Sequence, residues 1–258
     1  MLTTSEDLQQ AYKWDKPRAD TFLKDKLAGA LEGHLGKGDY RPWDIVDFRK
    51  KLNTDEPWIG FEFETGFDDR KEYQKFVNFL WKNINYVAMD REGTGDYPIE
   101  LAFAPMEMSK VQAGESTLLR TVKYIHKAKL TPALNPTTYT RRDVGIHAGI
   151  STPKWNKLSH NAQYTIVKRM AALLDNLDDA QKTELYGRHK LYWGTANRKG
   201  KYVELKQFKA IPTVKHVEKV IRVTCQCVKL LDMLIDDANF SPDRTQVYKF
   251  LSSTADTF

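Results

Sequence analysis

The chain has 258 residues, 41% of them apolar and 12% aromatic, with a formal net charge of +6 and a pI of about 9.1. That much apolar material supports a real core in one decorated domain and argues against disorder, while the longest apolar runs fall well short of a membrane span. The polar, acidic start from Met1 to Gln10 does not read as a signal segment, so a soluble, cytoplasmic protein is expected, and its basic excess suits nucleic acid, nucleotides or other anions alike.

Residues 1–57 read as a charged helical extension, interrupted at Pro17, at Gly33, Gly36 and Gly38, and at Pro42. Tyr12, Trp14, Phe22, Leu23, Leu27 and Leu31 form an apolar stripe that would brace this arm against the main domain, assigned to residues 58–240. Trp58–Phe67 alternates as a half-buried strand does. Asp68 and Asp69 suit the start of a helix running to about Tyr86, with Tyr73, Phe76, Val77, Leu80 and Trp81 on one side. A turn-rich stretch from Asp90 to Tyr97 precedes a second strand, Pro98–Ala104. Glu115–Lys129 reads as a helix, Pro132 and Pro136 break the chain, and a third strand covers Asp143–Ser151. A helical stretch from Asn161 to Leu185 carries a break near Asp178. Tyr186–Tyr202 is basic, aromatic and irregular, with short strands, and is followed by a strand over Lys201–Phe208 and a strongly periodic helix, Val214–Asp236. The tail, residues 241–258, ends polar and reads as a fraying end. Cys225 and Cys227 are two apart on the periodic helix and so point to different faces; they read as reduced, buried thiols and not as a disulfide or a shared metal site. Strands alternating with helices across short breaks predict an α+β domain.

The chemistry lies in how the strands alternate. In the first, Ile59, Phe61 and Phe63 share one face and Gly60, Glu62 and Glu64 the other. In the second, Ile99, Leu101 and Phe103 oppose Pro98, Glu100 and Ala102. In the third, Val144, Ile146, Ala148 and Ile150 oppose Gly145, His147, Gly149 and Ser151. In the fourth, Val203 and Leu205 oppose Tyr202, Glu204 and Lys206. One such strand is ordinary for an antiparallel sheet with a wet face. Four of them, showing acids or a histidine among small residues, predict a concave face with room for a ligand. Two carboxylates about 4 Å apart repel by about 4 kcal/mol at an effective dielectric near 20, so crowding these glutamates calls for cations. Oxygen ligands with one imidazole suit Mg²⁺ or Mn²⁺, and a thiolate zinc site is not indicated.

Gly60-Phe61-Glu62-Phe63-Glu64 resembles the G-x-E-x-E opening strand of the glutamine-synthetase-like amidoligases, the superfamily of glutamate–cysteine ligase. Glu100-Leu101-Ala102-Phe103-Ala104-Pro105 looks like that family's second strand, and Gly145-Ile146-His147-Ala148-Gly149-Ile150-Ser151 is similar to its G-x-H-x-H-x-S strand. Val203-Glu204-Leu205-Lys206 resembles its late E-x-R strand. The four segments fall in family order between residue 58 and about residue 235. Two positions depart from the pattern: Gly149 replaces the second histidine, and Lys206 replaces the arginine, keeping the charge without the planar fork.

The resemblance implies a curved antiparallel sheet of the glutamine-synthetase catalytic type, with helices on its apolar face, that binds ATP and two or more Mg²⁺ (or Mn²⁺) ions. A small-molecule or peptide carboxylate would attack the γ-phosphate to give an acyl phosphate, which an amine would displace to form an amide, the acid by family analogy being glutamate. Glu62, Glu64, Glu100 and Glu204 are then metal ligands, His147 a metal ligand or phosphate contact, and Lys206, Arg198 and Lys199 phosphate contacts. Glu62 and Glu64, with Lys206 and Arg198, would carry the catalysis. Asp90 and Arg91 sit where they could meet substrate, although solvated turn residues are the plainer reading. No G-x-x-x-x-G-K-[ST] or G-x-S-x-G element occurs. Two other readings stay open: a non-catalytic binding protein that kept the fold, and a nucleic-acid-binding module using the basic, aromatic segment Arg188–Lys201 with Tyr192 and Trp193.

Overall fold

The alternating segment Trp58–Phe67 forms strand β1 with the boundaries its pattern dictates, burying Ile59, Phe61 and Phe63 and leaving Gly60, Glu62 and Glu64 half-buried on the other side. The computed structural model describes residues 4–34, 55–84, 87–90, 95–133, 145–187 and 196–253. Around β1 lie β2 (Val87–Asp90), β3 (Tyr97–Phe103), β4 (Met106–Glu107), β5 (Gly145–Ser151), β6 (Ala196–Arg198) and β7 (Val203–Lys209). They form one open seven-stranded sheet in the order β2-β3-β1-β5-β7-β6, with β4 paired to the start of β1. Every pairing is antiparallel, and with the helices the class is α+β.

Residues directly opposite each other in an antiparallel ladder project to the same side. The registers therefore carry the two faces of β1 across the sheet. Phe63 opposite Leu101 and Ile146, and Ile59 opposite Ile150, continue the apolar side. Glu62 opposite Ala102 and His147, Glu64 opposite Glu100, and Gly149 opposite Gly60 and Glu204 continue the polar side.

The principal helices are α1 (Ser5–Tyr12), α2 (Lys16–Leu31), α3 (Arg70–Asn83), α4 (Thr117–Lys127), α5 (His160–Asp175), α6 (Asp179–Tyr186), α7 (Val214–Asp236) and α8 (Arg244–Ser252). Asp69 caps α3 by accepting from the Glu72 amide, and Tyr73, Phe76, Val77 and Leu80 are buried on one stripe. The helix stops at Asn83, short of the expected Tyr86, and the chain soon enters β2, a strand not foreseen. Val87, Ala88 and Met89 are all buried, so β2 has no alternation to read. The break near Asp178 is a capping box: the Asp178 carboxylate accepts from the Gln181 amide while the Gln181 side chain accepts from the Asp178 amide. Gly95 sits at φ +82°, where a side chain would collide with Asp68 and the Phe67 carbonyl at the end of β1.

The helical arm breaks between Tyr12 and Lys16, immediately before Pro17, which lies in the first turn of α2, where its missing N–H costs nothing. The tail, expected to fray, is instead ordered as far as it is described, to Ser253. Asp243 and Gln246 form a capping box that starts α8, whose Val247, Phe250 and Leu251 are buried. Gln226 of α7 donates to the Phe250 and Ser253 carbonyls at 3.2 and 3.0 Å, tying the tail to the core. The N-terminal arm does brace the domain: Leu8, Ala19 and Leu23 form a small cluster joined by Trp81, and Tyr73 donates its hydroxyl to the Ala30 carbonyl at 2.7 Å. Gly36, Gly38, Pro42 and Pro136 lie outside the described residues. Cys225 and Cys227 are unbonded and buried. Burial pushes the Cys225 thiol up to about 11 and that of Cys227 further. Among the described residues, no helix is long and apolar enough to cross a membrane.

Candidate metal centre

Three neighbouring strands each deliver one ligand-type side chain to the same spot on the polar face. β1 brings Glu62, β5 brings His147 opposite it, and β7 brings Glu204 opposite Gly149. One ligand atom from each lies within 4.8 Å of the other two. The His147 Nδ1 is 3.2 Å from the Glu62 Oε2, and its Nε2 is 3.8 Å from the Glu64 Oε1. Octahedral ligands about 2.1 Å from a hard cation sit about 3 to 4 Å apart, so small side-chain adjustments would close the set around one ion.

The electrostatics favour a cation there. Glu204 is only 7% exposed, and its buried Oε2 makes no hydrogen bond, although the Lys199 and Lys206 ammonium groups stand 3.4 Å away. A buried carboxylate oxygen without a hydrogen bond is costly and calls for a charged partner. Burial pushes the Glu62 carboxyl up, but the hydrogen bond with His147 and the positive charges of His147, Lys206 and Lys199 outweigh it and hold the pKa below the usual carboxylate value. Glu62, Glu64 and Glu204 set three carboxylates around the His147 imidazole and two ammonium groups. Two carboxylates and one imidazole are hard and borderline donors, which fits Mg²⁺ or Mn²⁺ better than a thiophilic metal.

Strict alternation does not survive along β7. Its register with β5 shifts between Ile146 and Ala148: Ala148 opposes Leu205, but Ile146 opposes Phe208, so Lys206 and Gln207 both lie opposite His147. This bulge puts one extra residue into β7, returning Phe208 to the core while Lys206 stays beside Glu204. Gly149, where the family pattern has its second histidine, is also accounted for. A Cβ there would lie 3.1 Å from the Tyr202 ring, which covers this glycine and stands 6.0 Å from the Trp58 ring. On the neighbouring Gly60, Pro105 closes in at 3.6 Å. Tyr202 and Pro105 thus flank the floor next to the acids.

The other predicted residues separate. Glu64 stands beside the cluster, its Oε2 accepting from the Gly145 amide at 2.7 Å. Glu100 opposes Glu64 in register, one strand further out, and is not part of the triad. Lys199 and Lys206 both join through Glu204. Arg198 does not: it opposes Val203, a core residue, so it projects to the helix-covered side, where its Nε donates to the Gln163 Oε1 at 3.0 Å. Spacing along the sequence does not reveal this, because the face that each β6 residue takes is set by the register with β7. Asn197, by contrast, opposes Glu204 and shares the polar face, a position the short β6 did not reveal in sequence. The Asp90 side chain, Arg91 and residues 188–195, with Tyr192 and Trp193, lie outside the described residues. A scan of the chain against protein-family models finds no match, and a search among curated proteins finds none either.

Proposed function

We propose that the chain is an ATP- and divalent-metal-dependent carboxylate–amine ligase, built on a sheet of the glutamine-synthetase type and forming an amide through an acyl phosphate. The observation that carries this reading is the meeting of Glu62, His147 and Glu204, from three strands, within 4.8 Å of one another and beside two lysines. Glu62, His147 and Glu204 would hold Mg²⁺ or Mn²⁺, which when bound neutralises charge on phosphate oxygens. Lys206 and Lys199 would face the transferring phosphoryl group as point charges, without the bidentate fork of an arginine. The order of family-like segments along the chain supports the same reading, and glutamate, giving a γ-glutamyl amide, is the acid it favours.

The test is turnover. The purified chain incubated with ATP, Mg²⁺, glutamate and pooled amines should release phosphate and yield amide products by mass spectrometry. Glu62→Gln with Glu64→Gln should abolish both while circular dichroism stays unchanged. ATP left intact by a chain that still binds Mn²⁺ would instead identify a non-catalytic binding protein.

A further inference from the structure

An open pocket of about 710 Å³, lined by none of the triad residues, lies between the β5–α5 connection and the β6–β7 turn. That size falls in the range of roughly 300 to 1,000 Å³ usual for small-molecule sites. Its lining is the reverse of the metal centre in charge: Lys157, Arg198 and Lys201 set three cations against the single carboxylate of Asp55. Trp58, Pro153 and Leu158 add apolar surface between them. His160 and Gln163 bring in the first turn of α5, whose N-terminal dipole adds to the positive potential.

One of the cations, Arg198, is held from beneath by a buried side chain. Gln163 is 7% exposed; its Oε1 accepts from the Arg198 Nε at 3.0 Å and its Nε2 donates to the Trp155 carbonyl at 3.1 Å. With Nε committed, the guanidinium plane is fixed and its Nη edge remains for a bidentate anion. The turn carrying Lys201 is anchored as well. The Trp155 Nε1 donates to the Gly200 carbonyl at 3.2 Å and the Ser151 Oγ to the Lys201 carbonyl at 2.9 Å. Holding the Arg198 guanidinium and the backbone of the Lys201 turn in place before binding removes part of the ordering cost of capturing a ligand.

We infer that this pocket binds a compact small molecule bearing two anionic groups, carboxylate or phosphate, with the apolar walls covering the atoms between them. Three cations from separate segments match two anionic ends better than one, and the net excess of two positive charges sets the ligand charge. Arg198, drawn away from the metal centre by its strand register, finds its role here. The inference stands apart from the ligase reading, since none of the triad residues lines the pocket.

Calorimetry on the whole chain, at constant ionic strength and with EDTA present, tests it with pyrophosphate and glutarate as probes. Saturable binding of at least one probe is expected. Pyrophosphate alone would assign a phosphate-bearing ligand and glutarate alone a dicarboxylate. Arg198→Met and, separately, Lys201→Met should weaken binding at least about tenfold, the scale of one charge-assisted hydrogen bond. Lys123→Met, an exposed cation on α4, should not change it. Lys201 is exposed, so its substitution leaves the fold intact even if Arg198→Met does not. No saturable binding of either probe, binding insensitive to Lys201→Met, or binding that appears only when EDTA is replaced by Mg²⁺ would overturn the inference.

Discussion

Glu62 and Phe63 are neighbours in the chain, yet they belong to different parts of the molecule. Phe63 is fully buried on the helix-covered face, opposite Leu101 and Ile146. Glu62 stands on the polar face with His147 and within reach of Glu204. One face holds the fold together by burying apolar area. The other gathers charged side chains that meet across strands. Changes on the first face should therefore be read in stability, and changes on the second in binding.

The largest effect should come from the covered face. Phe63→Ala is expected to cost about 3 to 5 kcal/mol of stability, the range for truncating a core phenylalanine, whereas Glu62→Gln, which loses one pairing with His147, should lower the denaturant midpoint clearly less. A Glu62→Gln variant as destabilised as Phe63→Ala would erase the distinction between the faces. The next effect sharpens the polar face itself. Glu204→Gln should weaken Mn²⁺ binding about a hundredfold, at the upper end of what even an outer partner of a metal site costs, and Glu100→Gln less than about tenfold. Equal losses in a Mn²⁺ titration would mean that the outer row, Glu100 and Glu64, ligates as fully as the triad.

The smallest effect is a pH dependence on the helix side. Burial holds the His216 imidazole below its ordinary value of 6.5, outweighing the raising effect of its contact with the Lys209 carbonyl, and the Lys219 and Lys209 charges add to the depression. Between the lowered folded pKa and the unfolded one, the folded chain binds fewer protons. This stability is therefore present above about pH 6.5 and is lost as pH falls through that value toward the lowered one. Thermal unfolding of the parent chain should show this loss and His216→Gln should show less of it; parallel profiles would remove His216 as the cause.

Much of the fold was legible because alternation and caps are local. β1 and α7 match their patterns residue for residue, and Asp178 marks a break through its own side chain. β2 was hidden because a short strand whose Val87, Ala88 and Met89 are all buried shows no period. The α8 tail looked loose because its three buried residues are spaced for a helix too short to stand out. The site divides in the same way. Glu62 and Glu64 were readable as facing one way, since side chains two apart on a strand must. That Glu204 sits nearer the centre than Glu100 was not readable, since it depends on which strands lie beside β1 and β5.

From its own residues the chain determines which side chains are acidic, which are apolar, and how they alternate along each strand, because backbone pleating is a property of consecutive residues. Strand order and register decided the rest. They grouped Glu62 with His147 and Glu204, sent Arg198 to the opposite face, and laid Tyr202 over Gly149. A shift of one residue in any pairing would have reversed those assignments, and register is settled only when whole strands meet and bury their apolar sides together.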